Sequence, residues 1–158
     1  MWSRRTALLT PLAVLGACGF QPVYGPGGTG RALQGQVLVQ EPDDRNGFLL
    51  VRELEERLGR AGSPAYDLGL TIATEEEGLA IDPAGNTRRF NLLGSVEYAL
   101  TDVATGAVVT SGKVDNFVGY SATGTTVATL AAEEDAQERL MTILADQIVR
   151  RLYAADLA

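Results

Sequence analysis

The one residue of this 158-residue chain whose neighbours declare its chemistry is Cys18, which follows Leu15-Gly16-Ala17 at the end of a short apolar run. A thiolate is a strong nucleophile, and it is the only cysteine, so no intramolecular disulfide competes for it. Other reactive arrangements are missing. The chain has no histidine, which removes the usual base near neutral pH, any Ser-His-Asp triad and the commonest transition-metal ligand. Glu75-Glu76-Glu77 is a run of three adjacent glutamates. It lacks the spacing of a calcium loop and reads as a solvated strand edge. No catalytic residues, metal ligands or cofactor site follow from residue type and spacing.

Cys18 gains meaning from what precedes it. Arg4 and Arg5 form a positive start, and Ala7 to Leu15 form an apolar stretch of nine residues interrupted by Pro11. A spanning helix needs about 20 apolar residues, so this is a secretory signal in outline. Leu15-Gly16-Ala17 before the cysteine resembles the bacterial lipobox: an apolar residue for the signal peptidase pocket, then two small ones that leave the scissile bond uncrowded. Cleavage between Ala17 and Cys18 and acylation of Cys18 are the expectation. A single acyl chain binds bilayers weakly, at about 10⁴ M⁻¹, whereas two or more give a stable anchor. Gly19 rather than aspartate at the next position favours the outer membrane.

The expected organisation is therefore a signal peptide at 1–17, a lipidated N-terminus and flexible linker at 18–32, and one domain at 33–158. The mature chain would carry 11 basic against 20 acidic residues, a net charge near −9. Without a basic run it is a poor partner for nucleic acid.

Periodicity supplies the elements. Gly25 to Gly30 is turn-rich, and Gln36–Gln40 alternates as a short strand. A helix is predicted from Asn46 to Ala61, with Leu50, Val51, Leu54, Leu58 and Ala61 on its apolar face. Glu53/Arg57 and Glu56/Arg60 are i,i+4 pairs, and Gly62 with Ser63-Pro64 is the stop. From Tyr66 the period becomes two, with Tyr66, Leu68, Leu70 and Ile72 on one face. The apolar parity then flips to Leu79 and Ile81, which predicts a bulge near Glu76 to Gly78. After a turn at Asp82–Asn86, a long strand carries Phe90, Leu92, Gly94, Val96, Tyr98 and Leu100 on one side. Asp102–Gly106 is a hairpin loop. A fourth strand places Val108, Val114, Val118 and Tyr120 on one face and Ser111, Lys113 and Asp115 on the other.

A helix from Thr126 to Tyr153 closes the chain. Leu130, Ala136, Leu140, Met141, Leu144, Ile148 and Leu152 form its apolar face, with Glu138, Arg139, Thr142, Asp146 and Arg150 opposite. Asp135/Arg139 and Asp146/Arg150 are its i,i+4 pairs. The fold class is α+β in the order β-α-β-β-β-α: a four-stranded, mostly antiparallel sheet packed by two helices as a two-layer sandwich. The pairing direction of the first strand is open.

Several stretches taken together resemble the LPS-assembly lipoprotein LptE family in its alphaproteobacterial form. They are Cys18-Gly19-Phe20-Gln21-Pro22-Val23-Tyr24, Thr87-Arg88-Arg89-Phe90, the hairpin from Tyr98-Ala99-Leu100-Thr101-Asp102 to Ser111-Gly112, Ala132-Glu133, and Leu144-Ala145-Asp146-Gln147-Ile148. The resemblance implies a non-enzymatic protein on the inner leaflet of the outer membrane. It also implies a plug role in the LptD β-barrel, aiding barrel assembly and delivery of lipopolysaccharide to the outer leaflet. Lipopolysaccharide carries phosphates, which select for basic side chains. Arg88, Arg89 and Lys113 are the candidates, though parity puts Arg88 and Arg89 on opposite faces. The alternative is a stand-alone envelope lipoprotein that binds a soluble ligand or another periplasmic partner, for which a deep apolar pocket between the layers would speak.

Overall fold

The computed structural model describes residues 28–81 and 87–157, together with Gly25. The signal segment, Cys18 and the turn at 82–86 lie outside the described residues. The elements are α1 (Thr29–Leu33), β1 (Val37–Val39), α2 (Arg45–Leu58), β2 (Tyr66–Ile81), β3 (Thr87–Asp102), β4 (Val108–Ser121) and α3 (Thr126–Ala154). They form an α+β fold with one sheet, ordered β1-β2-β3-β4, under two long helices. The expected class and order hold, with one addition. Helix α1 occupies part of the stretch expected to be flexible linker, because Gly30 and Leu33 are buried.

The open pairing question is answered by topology. β1 pairs parallel with β2, Val37 opposite Tyr66 and Val39 opposite Leu68. A parallel neighbour requires a crossover, and α2 provides it. The other two pairings are antiparallel, β2 with β3 and β3 with β4. The register between β2 and β3 shifts between Gly78 and Ala80 and again at Ile81, just past the predicted position. A further shift, between β3 and β4 at Leu100 and Thr101, is not signalled by the apolar pattern. It turns Val108 to the outer face, where it is exposed, while Val109 packs against the core.

Helix α2 begins where Asp44 accepts a hydrogen bond from the Gly47 amide at 2.7 Å, an N-cap. It stops at Gly59, three residues before the predicted stop at Gly62. Gly59 adopts φ 75°, a conformation that suits glycine, and the Leu58 carbonyl is taken by the Gly35 amide at 2.7 Å. Ala61 thus lies beyond the helix. Thr125 caps α3 through the Ala128 amide.

The two long helices run parallel. Three ion pairs join them in ascending order on both: Arg45–Glu134 at 3.3 Å, Arg52–Glu138 at 2.7 Å and Arg57–Asp146 at 2.7 Å. Asp146 therefore reaches across to α2 instead of pairing with Arg150, and Glu138 faces the seam instead of open solvent. Arg57 also pairs with Glu53, and Asp135 with Arg139, as the spacing suggested. Arg60 takes Glu55 in place of Glu56.

The core lies between sheet and helices. Leu50, Leu54, Leu58, Val96, Leu100, Val114, Leu140, Leu144, Ile148 and Leu152 are all at 0 % exposure. Leu130 does not join them and is 56 % exposed. It precedes Glu134, the first α3 residue to bond α2, so no second helix flanks it. Gly94 is what lets α3 approach: a Cβ there would sit 2.9 Å from Leu140 Cδ2 and 3.1 Å from Leu144 Cδ1.

Candidate functional site

A strand rises about 3.4 Å per residue, so the two 16-residue strands β2 and β3 are each about 50 Å long. Even-numbered residues in most of their length face the helices, and odd-numbered ones form the outer face, which no described element covers. Reading β3 against β4, that face carries the pairs Arg89/Ser121, Asn91/Gly119, Leu93/Phe117, Ser95/Asp115, Glu97/Lys113 and Ala99/Ser111. From β2 it gains Asp67, Thr71, Ala73, Glu75 and Glu77. The face is mostly polar and weighted towards acid.

The three basic candidates do not converge. Arg88 and Arg89 are adjacent strand residues and so point to opposite faces, as parity required. Both are exposed. Arg89 and Lys113 share the outer face, but eight residues of strand, about 27 Å, separate Arg89 from the Glu97/Lys113 pair. Lys113 is held by Glu97 at 3.3 Å, with both side chains more than half exposed. Such a pair is worth little in free energy, and it leaves Lys113 available to a competing anion. Arg89 stands beside a notch of about 320 Å³ lined by Leu79, Asn91, Phe117, Gly119 and Ser121. Gly119 leaves room there between Phe117 and Arg89.

An apolar spot that the strand pattern does not single out interrupts this polar face. Phe117 is 60 % exposed and lies directly opposite Leu93, which is 36 % exposed. Parity places both on it: they are odd-numbered in strands whose core residues are even-numbered. The acidic run is also divided. Glu75 and Glu77 face outward, while Glu76 accepts a hydrogen bond of 2.6 Å from the Tyr120 hydroxyl on the helix side. Burial and this bond push the Tyr120 phenol well above the ordinary tyrosine range. Its ring stacks on Phe90 with centroids 5.3 Å apart.

Nothing in this arrangement resembles a nucleophile beside a base. Among the described residues no cluster of His, Cys, Asp and Glu is suited to hold a metal ion. No helix among them is long and apolar enough to cross a membrane.

The sequence profile of the family described as LptE, lipopolysaccharide-assembly, matches residues 35–152. The chain belongs to that family. A solved lipoprotein from Caulobacter crescentus CB15 is 30 % identical, with 82 % of this chain and 96 % of that one covered and a TM-score of 0.68. The rare lipoprotein B of Shewanella oneidensis superposes with a TM-score of 0.58 at 19 % identity, covering 75 % of this chain and 92 % of its own. Lipoprotein B of Nitrosomonas europaea gives 0.56 at 20 % identity, covering 75 % and 82 %. At those lower identities the likeness is one of fold. No curated protein matches the chain. The matched segment begins just before β1 and ends in the last turns of α3, so it takes in the whole sheet and both long helices.

Proposed function

We propose that the chain is a non-catalytic outer-membrane lipoprotein, anchored through acylated Cys18. In this reading it pairs with and plugs an LptD-type β-barrel, aiding that barrel's assembly and the delivery of lipopolysaccharide to the outer leaflet. The observation that carries the reading is the family match over residues 35–152. The outer face, which no described element covers, adds support: a largely polar surface about 50 Å long suits contact with a polar barrel wall. The filled interlayer, with its leucines at 0 % exposure, speaks against the stand-alone ligand carrier. The organisation that goes with this role is a signal peptide at 1–17, a lipidated tether from Cys18, and the domain that follows.

Mild cross-linking in the native membrane, detergent extraction and mass spectrometry test the pairing. A large β-barrel protein should be captured with the chain; recovery of the chain alone overturns the proposal. Cys18→Ala should accumulate uncleaved, unacylated precursor, and an unchanged mature N-terminus would remove the anchor from the reading. Arg88, Arg89 and Lys113 are proposed to contact lipopolysaccharide phosphates locally. Since Arg88 and Arg89 face opposite ways, Arg88→Glu and Arg89→Glu should weaken lipopolysaccharide capture independently. Equal capture by both variants and the parent would return these residues to solvated surface charges.

A further inference from the structure

Among the described residues the sheet is open along one edge at mid-length. β1 is only three residues long and pairs with Tyr66–Leu68. Past it, the Gln40 amide donates to the Leu68 carbonyl at 3.0 Å, and the Leu70 amide donates to the Gln40 side chain at 3.1 Å. Leu68 and Leu70 thus aim their backbone groups at the β1 side. By strand alternation so do Ile72, Thr74, Glu76 and Gly78, and among the described residues no strand meets them. Pro42 ends the β1 course, and an open cleft of about 350 Å³ lies where a continuing strand would run. Val51, Leu70 and Ile72 line it together with the acidic Glu41, Asp43 and Asp44.

The opposite edge is treated differently. On β4 the Asn116 side chain accepts from the Phe117 amide at 2.8 Å, and Gln147 of α3 reaches the Asp115 carbonyl at 3.4 Å. Lys113 adds a charge, and a register shift bends the strand near its start. These are devices that discourage pairing at an edge. The β2 edge has its glutamates instead. They oppose a second copy, which would set Glu75 and Glu77 against their own kind, and they attract a cation.

We infer that the free edge of β2, from Ile72 to Gly78, accepts an extended basic segment of a partner protein by strand addition. The incoming backbone pairs with the four open residues. Its side chains alternate, one set apolar and directed to the Val51, Leu70 and Ile72 cleft, the other Lys or Arg beside Glu75 and Glu77 on the outer face. The inference concerns this edge alone and does not depend on the lipid anchor or on glycolipid contact.

Amide hydrogen exchange on the full-length chain in detergent micelles tests it, with a capped heptapeptide of alternating lysine and valine as probe and its glutamate counterpart as control. The lysine peptide should protect Ile72, Thr74, Glu76 and Gly78, more weakly as salt is raised, and the glutamate peptide should not. Proline is tolerated at an edge whose N–H points outward, so Thr74→Pro removes one open donor and should weaken binding roughly tenfold, the worth of one backbone bond. A paired Glu75→Lys, Glu77→Lys variant should reverse the preference between the two peptides, and it decides the matter if Thr74→Pro fails to fold. Absence of protection at these four amides overturns the inference, as does protection along β4 instead. Unchanged affinity in a folded Thr74→Pro, or concentration-dependent protection without peptide, which would assign the edge to a second copy, also overturns it.

Discussion

Tyr120 ties three strands together at the end of the sheet away from the β3–β4 turn, stacking on Phe90 of β3 and donating to Glu76 of β2. Tyr120→Phe keeps the ring and removes the bond. With Glu76 exposed, the loss should be on the order of 1 kcal/mol, read as a lower denaturant midpoint with an unchanged slope. The raised phenol also sets a pH dependence. Between the unfolded tyrosine pKa of about 10 and the higher native one, only the native state keeps the proton, so stability falls as pH rises through that window. One of the five tyrosines should therefore ionise late in an ultraviolet titration, and Tyr120→Phe should abolish that late step. Residue types alone showed neither the bond nor the stack, because Glu76 and Tyr120 are 44 positions apart. Parity did show that Arg88 and Arg89 diverge.

At the level of elements, patterning carried most of the fold. The period-two runs in β2 and β3 and the apolar stripes of α2 and α3 lie where the spacing put them, since each buries one face against the same core. What escaped was decided by partners distant in sequence. The parallel seat of β1 depends on the α2 crossover. The outward turn of Val108 follows from a register shift against Leu100 and Thr101. Helix α1 escaped because its glycines read as tether, whereas the burial of Gly30 and Leu33 seats it on the core. Leu130 was placed by the helical period, but periodicity does not say where the neighbouring helix begins. Gly94 belongs to this scale too, as the floor on which α3 rests. Gly94→Ala should push Leu140 or Leu144 off its packed position in a closed core. The cost should be on the order of 1–3 kcal/mol, visible as a drop in thermal midpoint that an exposed Gly62→Ala does not share.

Across the whole molecule, the seam between parallel α2 and α3 is ionic, and Glu53 braces two of the arginines that span it, Arg52 and Arg57, from within α2. Arg57 first, and then Arg52, hold the Glu53 carboxyl below the ordinary glutamate range against the opposing effect of its partial burial. A lowered native pKa means stability that is present above the unfolded value of about 4.3 and lost as pH falls through the native one. Denaturation of the parent and of Glu53→Gln at a series of pH values should show a gap at pH 7 that closes below about pH 4. The same parallel arrangement fixes which end is which. The carboxyl ends of both helices, α1 and the β3–β4 turn gather at one pole, while Arg88 and Arg89 stand near the other. If Cys18 is the anchor, the ten peptide steps from it to Gly28 reach at most about 36 Å, less than the roughly 50 Å length of the sheet. The domain is then a leashed rod held by its near pole. Standing upright, it carries the two arginines well beyond the anchoring leaflet; only lying along the bilayer can it lay them on that surface. A photo-cross-linker at Arg89 should accordingly reach targets remote from the headgroups that one at Gln36 touches.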